Sequence, residues 1–166
     1  MTQTLPQVAH EHHERLLLHV DRMPQVADLL LTAKAEDVRA SLVEMGRFLE
    51  GTLLPHIDAA ERTLYPEFER MFQNRHSMAP MRREHTEIRR LVAEFVKLGE
   101  EVGVGVGQVT IGRTLAIRRV MFQLYSLLKI HLAEEDAYLR IVDHGVTADV
   151  AEMLAAAMDH PGIATA

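Results

Sequence analysis

The chain of 166 residues contains no cysteine and no tryptophan. The absence of cysteine excludes disulfide bonds, thiolate catalysis and thiolate metal ligands. No apolar run approaches the roughly 20 residues that a membrane-spanning helix needs, so we expect no transmembrane segment. The N-terminal stretch "MTQTLPQVAHEHHERL" lacks a basic segment followed by an apolar one, so we expect no signal peptide. Together these absences favour a cytoplasmic location.

The charge balance also limits the kinds of partner. The formal net charge is -6, and the arginines are scattered among acids without a basic face rich in aromatic residues. This pattern argues against nucleic acid as the main partner. Apolar residues make up 48% of the chain and charged residues 25%, which is typical of a soluble globular protein. The length predicts a single domain over residues 1–166.

Apolar residues recur at spacings of three and four over long segments, which predicts amphipathic helices and no strands. Pro24 is expected to bend or break the first helix, and Pro55 and Pro66 should produce local kinks in the second. Long helices joined by short links predict an all-α fold, an antiparallel four-helix bundle with a short C-terminal extra helix. The predicted helices span residues 6–31, 35–72, 80–101, 110–143 and 147–158.

Histidine is unusually abundant, with ten residues, and several histidines occupy positions where the helical pattern calls for apolar side chains. His85, for example, lies between Met81 and Ile88 on the apolar stripe of the third predicted helix. In the fourth, His131 and Glu135 lie one turn apart on the stripe. Each long helix therefore directs at least one imidazole inward. The four histidines are His12, His56, His85 and His131.

Inward histidines and carboxylates together predict a metal site. A carboxylate buried among apolar side chains costs several kcal/mol, or is forced to take up a proton, unless it is compensated. A bound cation removes this cost and uses the imidazole lone pairs as ligands, as in the cores of other helical bundles. A single inward histidine is more often an ordinary core residue, but four on four helices favour a metal. Imidazole and carboxylate without sulfur suit iron, manganese or zinc.

The second predicted helix places its acidic residue at an awkward spacing. Glu61 follows His56 by five residues, which is about 140° around an ideal helix, whereas the better-aligned position four residues on is Ala60. A single π-bulge would bring Glu61 back toward the face of His56. The neighbouring prolines make such irregular winding easier to accommodate.

The fourth predicted helix leaves two carboxylates as candidates. Glu135 lies four residues after His131 and Asp136 lies five residues after it. Regular periodicity favours Glu135, whereas an irregularity like that expected near Glu61 would favour Asp136.

Several other residues are expected to have lesser roles. Tyr65 and Tyr125 fit the core, with a hydrogen bond to the metal site as the alternative. His10 and His13 flank His12 but point elsewhere on an ideal helix, so we expect both to be exposed to solvent. His76 is expected to be exposed in a loop, with a role in gating access to the metal as the alternative. His144 and His160 are expected to be incidental.

Four motifs resemble, in order and spacing, those of hemerythrin-like or HHE cation-binding domains: "EHHERLLLHV", "LLPHIDAAERTLYPEFE", "MRREHTEIRRLV" and "LLKIHLAEEDAYL". The match spans about residues 6–142. The resemblance implies an antiparallel four-helix bundle with two iron ions in an oxo- or hydroxo-bridged non-haem centre. It also implies a set of metal ligands: His12, His56, His85, His131, and the carboxylates of Glu61 and Glu135.

The sequence departs from the family pattern at two positions. Many relatives have a glutamate where this chain has Ala60, and oxygen carriers have a second histidine where it has Arg89. His19 could fill a ligand position left open. The chain is also similar to bacterial relatives, including mycobacterial ones, that decompose hydrogen peroxide.

The resemblance leads to two functional expectations. The preferred one is a di-iron protein that reacts with H2O2, O2 or NO, with catalase-like peroxide decomposition and no catalytic residue beyond the metal site. The alternative is a non-catalytic module that binds, senses or stores iron, O2 or NO. Apart from the resemblance, a metal-free helical interaction protein rich in histidine is a further reading of the sequence. In each case we expect no membrane partner and a monomer or weak homodimer.

Overall fold

The computed structural model describes residues 5–104 and 110–142. Within these ranges the chain is helical apart from short links, and it contains no strand. The predicted all-α fold class is confirmed. The predicted helix at residues 147–158 and the predicted end of the fourth helix at residue 143 lie outside the described residues.

The first long rod is two helices, α1 (Leu5–Val20) and α2 (Met23–Thr32). Pro24 lies in the first turn of α2, where its missing N–H costs nothing because that donor has no partner inside the helix. The predicted break near Pro24 is therefore confirmed, and the rod is interrupted just before this residue.

The second rod alternates ordinary and widened helical turns. Pro55 and Pro66 each stand second in an α-helix that directly follows a π-helical segment. A proline ring conflicts with the carbonyl four residues earlier in a regular helix, and a wider turn relieves that conflict. The π-bulge predicted near Glu61 is confirmed, and an earlier one was not anticipated. The segments are α3 (Ala35–Phe48), π1 (Leu49–Leu53), α4 (Leu54–Ala59), π2 (Ala60–Leu64) and α5 (Tyr65–Met71).

The other two rods are the uninterrupted helices α6 (Ala79–Val104) and α7 (Ile111–Val142). Pro80 lies in the first turn of α6, as expected. Ion pairs join neighbouring rods, for example Lys129 to Asp21 at 3.0 Å and Arg119 to Glu94 at 3.1 Å. The four rods are consistent with a helical bundle.

The apolar core forms two clusters with a polar layer between them. On α6, His85 lies between Met81 of the smaller cluster and Ile88 of the larger one. On α7, Glu135 lies between Leu132 and Leu139 in the same way. Each rod contributes to both clusters, so the polar layer is enclosed by packed apolar side chains above and below it.

Candidate metal centre

Six of the seven buried polar side chains in the described part of the chain belong to this layer. None of the six exposes more than 4% of its surface. A polar group removed from water costs free energy unless it finds partners, so a layer of this kind needs a compensating interaction. The six residues are His12, His13, His56, His85, His131 and Glu135.

Three of these residues form a compact group that could hold one cation. Oε2 of Glu135 lies 3.1 Å from Nε2 of His13 and 3.3 Å from Nε2 of His56. Ligand atoms of the three residues lie within 4.8 Å of one another. The outer nitrogen of His13, Nδ1, lies 2.7 Å from Oδ1 of Asp136. A carboxylate on the outer nitrogen is the usual support of a histidine that binds a metal.

The atoms of this group approach closely without making hydrogen bonds to one another. Seven buried atoms of the layer lack a hydrogen-bond partner: both ring nitrogens of His12, both of His56, Nε2 of His13 and both oxygens of Glu135. Buried polar atoms without partners are rare in native proteins, and several in one place are typical of a site that can bind an ion or a ligand. The donor set therefore fits a cation.

The second part of the layer brings two imidazole nitrogens face to face. Nε2 of His85 lies 3.0 Å from Nε2 of His131, and the Tyr65 hydroxyl lies 3.1 Å from Nε2 of His85. The outer nitrogens each meet a carboxylate at 2.8 Å, Glu61 for His85 and Glu84 for His131. An ionised carboxylate only accepts hydrogen bonds, so each outer nitrogen must carry the proton.

This proton arrangement leaves two lone pairs facing each other. Burial, assisted by the nearby imidazole of His131, lowers the pKa of His85 to about 4. Burial also lowers the pKa of His131 to about 4. Both rings are therefore neutral near pH 7, and each inner nitrogen can only accept. The Tyr65 hydroxyl can donate to Nε2 of His85, but Nε2 of His131 still faces another ring nitrogen at 3.0 Å, and a cation beside both nitrogens would relieve their repulsion.

The charged groups of the layer, His13 and Glu135, both belong to the compact group that includes His56. Burial alone would lower the pKa of His13, but the hydrogen bond to Asp136 and the nearby carboxylate charge of Glu135 raise that pKa to about 9. Burial alone would raise the pKa of Glu135, but the imidazoles of His13 and His56 lower it well below its usual value. Burial lowers the pKa of His12 to about 3, with a smaller contribution from His56.

The position of His13 corrects a sequence-based expectation. We expected His13 to be exposed, but its side chain is fully buried in the layer. The signal was present in the sequence, since Ala9, His13, Leu16 and Val20 follow spacings of four, three and four, and all four are buried. His12 is also buried, on the adjacent part of the inward face, with its ring stacked on His56 at 5.0 Å.

Glu61 lies on the outer side of the layer rather than among the inner ligand atoms. Its Oε1 atom accepts hydrogen bonds from Nδ1 of His85 at 2.8 Å and from Arg89 at 3.0 Å. Its predicted role as a metal ligand stays a prediction. Glu84 was not identified from the sequence, because it immediately precedes His85 and no periodic spacing connects it with His131.

The remaining candidates occupy different surroundings. Tyr65 is fully buried beside the layer, whereas Tyr125 is partly buried and packs against the larger apolar cluster. The partly exposed ring of His19 stacks on Phe48 at 4.6 Å. His10 is exposed, as expected. Among the described residues, His76 is also exposed, whereas His144 and His160 lie outside them.

The rods and the layer together define a helical protein with a histidine and carboxylate centre in its core. The model of the family described as hemerythrin HHE cation binding domain matches residues 5–110, more than half of the chain. The chain belongs to this family. No curated protein and no solved structure matches the sequence. Within residues 5–104 and 110–142, no helix combines the length and apolarity required to cross a membrane.

The lowered histidine pKa values predict that the metal-free protein loses stability in mild acid. The folded pKa values of His12, His85 and His131 lie below the ordinary value of 6.5, at about 3, 4 and 4. Unfolding therefore takes up protons between pH 6.5 and 4. Each of the three histidines should reduce the free energy of unfolding by about 1 kcal/mol per pH unit across this window.

Denaturant unfolding of the metal-free protein at several pH values measures this effect. His13 has the opposite sign, because its raised pKa stabilises the fold below pH 6.5 and this contribution is lost toward pH 9. We expect maximum stability near pH 6.5 and a shallower acid slope in His12→Gln. A constant free energy of unfolding from pH 7 to pH 4.5 would contradict this assignment of charges.

Proposed function

We propose that the protein is a non-haem di-iron module that binds a small ligand, O2, NO or H2O2, at the polar layer. The observation that carries this proposal is the pair of inner nitrogens of His85 and His131, neutral and 3.0 Å apart. The unpartnered oxygens of Glu135 in the same layer support it. Membership of a cation-binding family supports a metal as the missing partner.

We infer that the rods of the bundle run antiparallel. Asp21 on the first rod pairs with Lys129 on α7 at 3.0 Å. Asp28, seven residues further along the first rod, pairs with Arg118 at 2.9 Å, which lies earlier on α7. Partner numbers on α7 thus fall as the first rod advances, as expected for opposite directions. The short links between the rods favour the same arrangement.

Two sets of residues would hold the two ions. His13, His56 and Glu135 would hold one, and His85 with His131 would hold the other. Glu135 is suited to bridge the ions, since both of its oxygens lack hydrogen-bond partners. It also lies close enough to Tyr65 to contribute to the raised pKa of that phenol, after the larger effect of burial.

Two adjacent irons supply a pair of electrons and open coordination positions when they are bound. The residues around them determine what can enter and how it is held. Apolar clusters on both sides exclude bulk water, which suits a small uncharged ligand. Burial and the nearby Glu135 carboxylate raise the pKa of Tyr65, so the phenol keeps its proton and can donate a hydrogen bond.

Peroxide decomposition is a second candidate function at the same centre. The observation in its favour is the Tyr65 hydroxyl, a protonated donor 3.1 Å from the inner nitrogen of His85. Splitting the O–O bond of peroxide requires a proton for the departing oxygen, and in this proposal the Tyr65 hydroxyl would provide it. Arg89, in place of the second histidine of oxygen carriers, also favours a function other than reversible oxygen carriage.

We predict that removing either half of the centre lowers the metal content. Wild-type protein should bind two irons per chain, whereas His56→Ala and His131→Ala should each lose at least one because a central ligand is absent. His76→Ala is the matched control, since His76 is exposed in a loop. Elemental analysis with an absorption spectrum of the oxidised protein measures the outcome. Wild-type metal content in both layer variants would reject the site.

We predict that His13 contributes more to metal binding than His12. The inner nitrogen of His13 lies beside Glu135 while its outer nitrogen is held by Asp136, whereas His12 lacks such a support. His13→Ala should therefore weaken iron binding at least tenfold, and His12→Ala should weaken it less. Competition with a metal chelator compares the two affinities. If His12→Ala weakened iron binding more than His13→Ala, His12 rather than His13 would be the metal ligand.

Gas evolution distinguishes the two functions. If the centre decomposes peroxide, iron-loaded protein should evolve oxygen from H2O2, and Tyr65→Phe should reduce the rate at least tenfold while it retains iron. An oxygen electrode and elemental analysis of the same samples give both quantities. A spectral change with NO but no oxygen evolution would instead identify a binding module.

A further inference from the structure

We propose that Arg89 is a positioning residue that acts through Glu61 to fix the His85 imidazole and weaken its electron donation to the metal. The two imidazoles of this half of the centre would then be unequal ligands. The inference rests on the proposed function because it takes His85 as a metal ligand, and it takes Glu61 as the acceptor of the outer N–H of His85 rather than as a ligand itself.

The geometry places one carboxylate oxygen between the two side chains. Oε1 of Glu61 accepts from Nδ1 of His85 at 2.8 Å and from Nη1 of Arg89 at 3.0 Å. Nη2 of Arg89 donates to Oδ1 of Asp58 at 2.7 Å. The guanidinium is thus anchored on two carboxylates of the second rod, and it holds Glu61 on the outer side of His85.

A second arginine of α6 holds the same widened turn. Arg82 lies three residues before His85, and its Nη1 atom is 3.5 Å from the backbone oxygen of Glu61. Its guanidinium also stands over the Tyr65 ring, 5.4 Å from the ring centre. Arg82 and Arg89 therefore fix the π2 segment from both sides of His85, so the Glu61 carboxylate has a defined position.

The other imidazole provides an internal comparison. Nδ1 of His131 lies 2.8 Å from Oε2 of Glu84, the same distance as that from His85 to Glu61. Among the described residues, no arginine or lysine forms an ion pair with Glu84. The two histidines have carboxylate supports at the same distance, but of these two carboxylates only Glu61 pairs with a guanidinium among the described residues.

This difference has a direct electronic consequence. A carboxylate that accepts the outer N–H of a histidine draws that proton toward itself and makes the inner nitrogen a better donor to a metal. A guanidinium on the same oxygen competes for its lone pairs and stabilises the carboxylate charge. Glu61 should therefore draw less on the proton of His85 than Glu84 draws on that of His131.

NMR spectra that correlate each histidine ring nitrogen with its bound proton test the proposal. They are recorded on full-length protein, both metal-free and loaded with zinc. In Arg89→Gln, we expect the Nδ1–H proton of His85 to move downfield while that of His131 stays in place. Arg89→Lys, which keeps the charge without bridging two carboxylates, should give a smaller shift. Arg90→Gln is the control, because Arg90 is an exposed residue that pairs with Glu87 and Glu94 away from the layer.

The reduction potential of iron-loaded protein is the second measurement. It should fall in Arg89→Gln, because a stronger donor at His85 favours the oxidised metal, and stay at the wild-type value in Arg90→Gln. In a Glu61→Gln background, Arg89→Gln should cause no further change in either quantity. Unfolding curves show that the variants compared are folded, and Arg89→Lys serves if Arg89→Gln is not.

An unchanged His85 proton, or equal shifts at His85 and His131, would overturn the proposal. A further shift in the Glu61→Gln background would overturn it as well, since Glu61 would not be the link. The metal-free spectra decide these points even if the protein binds no iron or zinc. Failure of the metal centre and failure of the arginine link are therefore distinguishable.

Discussion

Unsatisfied lone pairs in a dry layer impose the main constraint on this molecule. The inner nitrogens of His85 and His131 face each other at 3.0 Å, with their protons held on the outer side by carboxylates. Both oxygens of Glu135 lack hydrogen-bond partners. Apolar clusters on both sides keep bulk water from supplying the missing donors. The arrangement is unfavourable as an empty core and favourable around cations, so stability and metal binding should depend on the same residues.

The irregular second rod supplies two of the groups that contact His85 in the layer. A regular helix would place Glu61 about 140° from His56. The π2 segment widens the helix one turn after His56, and both Glu61 within it and Tyr65 directly after it reach His85. Pro66 is the second residue after this segment, and its ring conflicts less with a wide turn before it than with a regular one. The widened turn and the side chains that contact His85 thus lie in the same short stretch of sequence.

Much of the fold could be predicted from the sequence because helical periodicity repeats over many residues. The same pattern identified His56, His85 and His131 as inward-facing, and the prolines indicated the widened turn. Residues that act across helices were harder to find. Glu84 supports His131 from another rod, and spacing within one helix cannot show such a contact. His13 was misjudged because adjacent residues are only about 100° apart, so both His12 and its neighbour fit a wide buried face.

The location of bound iron is the most direct test of the central claim. Anomalous X-ray diffraction at the iron edge, from crystals of iron-loaded protein, gives the positions of the ions without reference to activity. The account predicts two peaks in the layer, one contacting the inner nitrogens of His85 and His131 and one beside His56 and Glu135. Iron found only at the protein surface, with the layer empty, would contradict it.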